Sequence, residues 1–367
     1  MDYFSLSKLL DESEERFTIT QAAYEKLEKS VKNVGNIFLE NIGGARAYLQ
    51  GSFAYGTIIR PYMKDKDGDY DVDLVIELPA TYSSKDAEYV KNLVGMYLKK
   101  SDYRERLEEG KRCWTLDYSD TKNPDVAFHL DILPSVSADI QNGNEIQNTE
   151  IKITNRTDDG YSWSSSNPKG YRMWLSDIDR RHCNEENMKP SSTVETDLNR
   201  VADPVNTTPL RSAIKILKRS RDVFFSDRDD SEFSPVSIII TTIVAQIVDS
   251  DEIKYNKVAP IFDKIMSNLH SAGPKNNGSW ILLNPIDSKE NFADRWNTDE
   301  RYVSAYYAWC NYMVEQWNML KIADEMTAKK TIEKMIGLRD NSLQNISVYV
   351  PKPISTSIST PKSYVGE

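Results

Sequence analysis

Between Tyr70 and Leu78 every second residue is apolar: Val72, Leu74, Ile76 and Leu78 alternate with Asp71, Asp73, Val75 and Glu77. Side chains of a strand point alternately to its two faces. A strand over 71–78, closed by Pro79, therefore has one wholly apolar face and one face carrying carboxylates. The chain must bury the first face against a core and leave the second open. Residues 125–133 repeat the pattern, with Val126, Phe128, Leu130 and Ile132 on one side and Asp125, His129 and Asp131 on the other. Two such strands side by side bury one face and gather Asp71, Asp73 and Asp131 on the other.

Carboxylates crowded in this way repel, so the cluster calls for a cation. Oxygen donors suit Mg²⁺ or Mn²⁺. Two such ions, roughly 3.5–4 Å apart, stabilise the attacking and leaving oxygens of a phosphoryl transfer. A single Asp-x-Asp is ordinarily surface acid; here it is joined by a third Asp on another alternating strand and by Gly51-Ser52 after a short strand at 47–50. Asp65-Lys66-Asp67-Gly68-Asp69 does not fit a calcium loop, because its glycine is misplaced and no closing Glu follows. With three histidines (His129, His182, His270), a multi-histidine zinc site is not expected; the adjacent His182-Cys183 has no second pair at ligand spacing.

The rest of the chain supplies elements around that pair of strands. Apolar residues at helical spacing run through 5–42, with Thr20-Gln21 as a second start and Gly43-Gly44 as a stop. The spacing predicts a loop over 61–69, a helix over 86–109 and a strand over 112–118. The polar stretch 138–170 reads as irregular. From 204 onward the pattern is helical, over 209–224, 236–249, 255–271, 299–323 and 325–337. The expected organisation is a catalytic lobe over 1–200 that includes the long N-terminal helix, a helical lobe over 201–345, and a flexible Pro/Ser/Thr-rich tail over 346–367. Within 211–221, Arg211, Lys215, Lys218 and Arg219 form one stripe of a helix whose other side holds Ala213, Ile214, Ile216 and Leu217. Among the aromatic residues, Trp163, Trp174, Trp280, Trp296, Tyr302, Tyr306 and Tyr307 are candidates for stacking on a base, with core packing the default.

Composition narrows the partners. Lys and Arg total 46 against 56 Asp and Glu, a formal net charge of −10. Stable binding to duplex DNA, which needs a broad basic face, is not expected. No run of about 18 apolar residues exists, so no membrane span is expected. The first residues lack a secretory pattern, and three scattered cysteines (Cys113, Cys183, Cys310) give no disulfide framework, so the cytoplasm is the expected compartment.

Gly51-Ser52, Asp71-x-Asp73 and Phe128-His129-Leu130-Asp131-Ile132-Leu133-Pro134 resemble the active-site motifs of the polymerase-β-like nucleotidyltransferases. Ser166–Tyr171, Ala213–Arg219, Pro235–Thr242 and Asn284–Trp296 narrow the resemblance to the bacterial cyclic GMP-AMP synthase/DncV-like nucleotidyltransferases of anti-phage signalling systems. It covers roughly residues 15–335. The loop between Ser52 and Asp71 is long for the wider superfamily.

The resemblance implies an α/β (α+β) fold, bilobed with a central cleft, in which a polymerase-β-like core carries an oligoadenylate-synthetase-like helical lobe. It implies an enzyme joining nucleoside triphosphates, ATP and GTP or another NTP, into a cyclic di- or trinucleotide. In that reading Asp71 and Asp73 hold the Mg²⁺ (or Mn²⁺) that grips the donor triphosphate. Asp131 shares a second ion and helps activate the attacking ribose hydroxyl. Gly51 and Ser52 meet the triphosphate, Lys218 is the triphosphate-contacting lysine with Lys215 as the alternative, and Ser237 is the matching hydroxyl on the next helix. His129 is a neighbour of the site. Transfer onto RNA or protein and an inactive partner-binding scaffold are the competing readings; the intact set of three aspartates argues against the scaffold. Some relatives are conjugated through their C-terminal residue, so a regulatory or conjugating partner acting on Tyr364-Val365-Gly366-Glu367 is a further expectation.

Overall fold

The computed structural model describes residues 1–63, 66–119, 126–138, 149–183, 207–276 and 278–348. The N-terminal helical run divides where Thr20 stands. Helix α1 (Tyr3–Glu14) is followed by α2 (Gln21–Asn41), and the Thr20 side chain caps α2 by accepting from Ala23 N–H. Strand β1 (Arg46–Gln50) leads into the single turn α3 (Gly51–Ala54). The expected loop over 61–69 contains a small hairpin, β2 (Tyr62–Met63) with β3 (Lys66–Asp67), ahead of β4 (Tyr70–Leu78).

Helix α4 (Ala87–Lys100) is shorter than the 86–109 expected from sequence. Ser101 is extended and ends it, and residues 107–109 instead form β5 (Leu107–Glu109) beside β6 (Trp114–Asp117). Strand β7 (Phe128–Ser137) then enters the sheet parallel to β4. The stretch 138–170 is not irregular throughout: β8 (Ile151–Thr157) and β9 (Gly160–Ser166) form a tight hairpin, and α5 (Pro168–His182) starts from an Asn167 cap. The hairpin turn is Asp158-Asp159 before Gly160 at φ 121°, a backbone glycine tolerates. The remaining helices follow expectation to within a few residues: α6 (Pro209–Phe225), α7 (Ser237–Val248), α8 (Val258–Asn268), α9 (Arg301–Ile322) and α10 (Glu325–Met335).

Among the described residues, seven strands form one mixed sheet in the order β1-β4-β7-β6-β5, with β8 and β9 continuing from the far half of β7. The apolar face predicted for β4 and β7 is the buried one. Val72, Leu74, Ile76, Phe128, Leu130 and Ile132 pack under α2 and α4. A second core gathers the helical residues. It includes Leu6, Leu9 and Leu10 of α1 and Tyr171, Leu175 and Ile178 of α5. By packing, then, α1 and α5 side with the helical cluster rather than with the sheet, although sequence order places them in the first 200 residues. The apolar face of α1 is short and is met by α6, α8 and α10. Ile346 and Val348, expected to begin a free tail, are buried in this core, and Lys8 Nζ donates to Ser347 O at 2.7 Å. Residues 349–367, including the proposed conjugation site, lie outside the described residues.

Among the described residues, no helix is long and apolar enough to cross a membrane. All three cysteines are unpaired.

Candidate active site

Parallel pairing of β4 with β7 puts Asp73 opposite Asp131 and Asp71 opposite His129. The three aspartates therefore share the face away from the α2/α4 core, as the alternation required. Asp125 falls outside the described residues. The third acid on that face of β4 takes no part: Glu77 is buried, bound to Arg46, to Ser137 Oγ at 2.6 Å and to Lys169 Nζ at 3.1 Å. Burial alone would raise the Glu77 carboxyl, but these partners more than offset it and hold it below the usual range.

Asp71 and Asp73 behave in the opposite way. Asp71 opens into the cavity yet is raised, first by burial and then by Asp131, against the opposing charges of His129 and Lys218. Asp73 is pushed up to about 7, by burial and then by Asp131 and Asp71, opposed by Lys218. Asp131 accepts a 2.6 Å hydrogen bond from Thr115 Oγ1, its register partner on β6. That contact fixes the third carboxylate. His129, opposite Asp71, also lies within ion-pair reach of Asp69 (3.5 Å) and Asp117 (3.8 Å).

Gly51 follows β1 directly, so the turn α3 stands against β4. Its φ is 66°, and a Cβ there would overlap Asp73 Oδ2. Glycine is required on both counts. Thr57 N–H donates to Ser52 O at 2.9 Å and closes the turn.

A cavity of about 530 Å³ opens on this face, a size suited to a small-molecule ligand. Its wall includes Gly51, Ser52, Asp71, Asp73, Lys218 and Ser237, which the sequence singled out separately. Lys218 comes from α6 and is buried; its Nζ donates to Thr57 O at 2.9 Å. Burial and then Arg221 push its ammonium down to about 7. Ser237 opens α7 and accepts from Arg221 Nη2 at 3.3 Å.

Lys215 is not part of this wall. It is buried on the side of α6 that meets α1, where it pairs with Glu14 at 2.7 Å. The other cations of the predicted stripe are also committed. Arg211 pairs with Asp179 at 2.9 Å, and Arg219 with Asp67 at 2.7 Å. The stripe is thus neither a solvated face nor a continuous basic wall, and of it Lys218 is what lines the cavity. Arg221 and Asp222, which also line it, were not singled out from sequence. They stand three and four positions after Lys218, on the same helix face, and that spacing was the available signal.

A second cavity, of about 710 Å³, adjoins the first and shares Gly51, Tyr55, Val236 and Ile238 with it. Its polar lining includes Arg112, Asn167, Asn284, Glu290 and Arg295, and its aromatic lining includes Trp163. Trp296 and Tyr306 are core residues instead. The buried Tyr55 lies between the two cavities, its hydroxyl raised by burial and then by Asp73 and Glu290.

Whether the aspartates suit a metal is a matter of charge and donor chemistry. Hard oxygen donors are concentrated where His129 and Lys218 are the opposing charges, and burial together with the neighbouring carboxylates still raises both carboxyls. Among the described residues no group of three or more His, Cys, Asp or Glu side chains converges tightly enough to hold a metal as it stands. The fit therefore lies in the carboxylates' chemistry, not in a preformed cage.

Residues 4–179 match the Second Messenger Oligonucleotide or Dinucleotide Synthetase domain family. Over 325 residues the chain is 27% identical to the c-di-GMP synthase of Roseivirga ehrenbergii, covering 87% of this chain and 79% of that protein. Its fold is similar to that of the Bradyrhizobium diazoefficiens CD-NTase CdnG, solved in complex with GTP. The TM-score is 0.64 at 16% identity, over 90% of this chain and 98% of that one. It is also similar to the Vibrio cholerae DncV cyclic AMP-GMP synthase in complex with nonhydrolyzable GTP. There the TM-score is 0.57 at 17% identity, over 92% of this chain and 85% of that one. The mixed sheet, the helical cluster and the cavity between them are the fold that the sequence resemblance implied.

Proposed function

We propose that the chain is a cyclic GMP-AMP synthase/DncV-like nucleotidyltransferase, a reading supported by the synthetase-domain match over residues 4–179, the similarity to a c-di-GMP synthase and the shared fold. It is a nucleotidyltransferase that joins nucleoside triphosphates into a cyclic oligonucleotide second messenger. The product is a cyclic di- or trinucleotide built from GTP and ATP, and it serves anti-phage signalling in the cytoplasm. The observation that carries the reading is the convergence of Gly51, Ser52, Asp71, Asp73, Lys218 and Ser237 on one cavity with a second cavity beside it. One nucleotide has room in each.

In each transfer a ribose hydroxyl oxygen of one nucleotide bonds to the α-phosphorus of another, and the bond from that phosphorus to pyrophosphate breaks. Asp131, one oxygen of which is held by Thr115, keeps its other oxygen for the hydroxyl proton. Backbone N–H groups of the turn at Gly51-Ser52 and the Ser52 hydroxyl bind the triphosphate, which approaches closely because residue 51 has no side chain. Lys218 exchanges Thr57 O for a phosphate oxygen, and Ser237 adds a hydroxyl on the same side. A bound triphosphate restores the opposite charge that burial denies Lys218. Asp71, Asp73 and Asp131 are the residues that would hold Mg²⁺, or Mn²⁺ in its place. When bound, such ions polarise the phosphoryl oxygens as Lewis acids.

Two expected results bear on these assignments. Lys218→Met weakens binding of a nonhydrolysable NTP by about 10- to 100-fold, because a charge-assisted contact to phosphate is lost. Titration of the two proteins checks it, and equal affinity counts against the lysine's role. Mn²⁺ added to the wild-type chain at pH 7.5 becomes protein-bound by electron paramagnetic resonance. Asp71→Asn with Asp73→Asn abolishes that signal, and retention of the signal contradicts the carboxylate site. Product formation itself is tested by incubating the chain with Mg²⁺ and labelled NTPs without RNA.

A further inference from the structure

Arg219 is adjacent to Lys218 on α6 and is turned about 100° around the helix axis from it, off the cavity wall. It is one of the most deeply buried charged groups of the chain, 2% exposed. All three of its nitrogens are used, and each binds a different residue. Nε donates to Ile336 O at the end of α10 (2.9 Å), Nη1 to Arg60 O (2.8 Å) and Nη2 to Asp67 Oδ1 on β3 (2.7 Å). The guanidinium also lies against the rings of Tyr62 (4.8 Å) and Phe17 (5.7 Å). Lysine has neither the planar fork nor the reach to replace these contacts.

Two of the three acceptors lie on the long segment between Ser52 and Asp71, the one that exceeds the superfamily's usual length. This segment forms much of the first cavity's wall, through Thr57, Ile58, Ile59, Pro61, Tyr62 and Met63. Helix α6 thus holds it from both sides. Lys218 ties it at Thr57 O on the cavity side, and Arg219 ties it at Arg60 O and Asp67 behind. If Lys218 leaves Thr57 O for a phosphate, the tie behind is what keeps the wall in place. Gly337 closes the arrangement: its φ is 64°, and a Cβ there would run into the Tyr62 ring.

We propose that Arg219 and Asp67 are positioning residues for the donor nucleotide: their bridge fixes the segment between Ser52 and Asp71 so that the triphosphate pocket is formed before substrate arrives. The proposal rests on the nucleotidyltransferase reading. It predicts an effect on nucleotide affinity and KM rather than on the chemical step, since neither side chain reaches the cavity. Asp67 is the better site for the test because its side chain is 40% exposed, so the fold survives the change. In the full chain, Asp67→Asn should weaken binding of a nonhydrolysable NTP about tenfold and raise KM alike, with kcat within about threefold. Asp67→Glu, which keeps the charge, should restore affinity to within about twofold of wild type. Arg219→Lys should follow Asp67→Asn, with thermal melting recorded for every variant. If Asp67→Asn lowers the melting temperature but binds NTP as wild type does, the bridge is only structural and the proposal fails. A wild-type chain that binds no NTP overturns the transferase reading instead, and this proposal with it.

Discussion

Asp71→Asn with Asp73→Asn is expected to reduce the rate of product formation from NTPs by at least about a thousandfold. The reason is electrostatic. Removing both charges leaves the donor face of β4 with nothing to attract a cation and the triphosphate facing neutral amides. The fold should survive, because the apolar face of β4 is untouched and Asn is nearly isosteric with Asp. The double variant should in fact be the more stable protein near neutral pH when no divalent ion is present. Asp73 is raised from its ordinary 3.8 to about 7, by burial and the neighbouring carboxylates. A group raised on folding lends stability below its ordinary value, and that stability is lost as pH rises through the raised one. Between about pH 4 and 7 the metal-free wild type therefore loses stability that the variant keeps. At pH 7.5 in a chelator the variant should melt about 2–5 °C higher. Adding Mg²⁺ should raise the wild-type melting temperature and leave the variant unmoved. A variant that melts lower than wild type in the chelator would show that the carboxylates stabilise the fold, against this account.

Gly51→Ala should be almost as damaging, at least about a hundredfold in rate, although it adds a single methyl group. Two costs coincide there. A φ of 66° is one that L-residues adopt only at about 1–2 kcal/mol. The new Cβ would also occupy the space of Asp73 Oδ2, so either the turn or the carboxylate must move. Ser52→Ala, which removes only a hydroxyl from the same turn, should cost about tenfold. Steady-state kinetics on the two variants separates the effects. Activity of Gly51→Ala within threefold of wild type would mean that the contact between the turn and Asp73 is not needed.

Much of this site was legible because its residues obey simple periodicities. Two-residue alternation placed Asp71, Asp73 and Asp131 on one face, and parallel pairing of β4 with β7 added the register that brings Asp73 opposite Asp131. Helical spacing found α6 and its basic residues. It did not say which of them faced the cavity, because that depends on what packs around the helix. Lys215 is claimed by Glu14 of α1, some 200 positions earlier, and such a partner leaves no local mark. The β8–β9 hairpin was hidden for a related reason. Tyr161 and Trp163 alternate with serines on a half-exposed strand, so its composition matches that of a loop. The end of α4 was overrun because Leu107 extends its apolar pattern, whereas the backbone leaves the helix at Ser101. Arg112 and Glu290 of the second cavity come from distant parts of the chain with no motif between them, and tertiary structure alone brings them together.

Mass spectrometry of the products from wild-type and Asp71→Asn/Asp73→Asn chains, each incubated with all four NTPs and Mg²⁺, tests the central claim most directly. The account predicts a cyclic, phosphatase-resistant oligonucleotide from the wild type and none from the double variant. The same product from both chains, or label found only on RNA or protein, would contradict it.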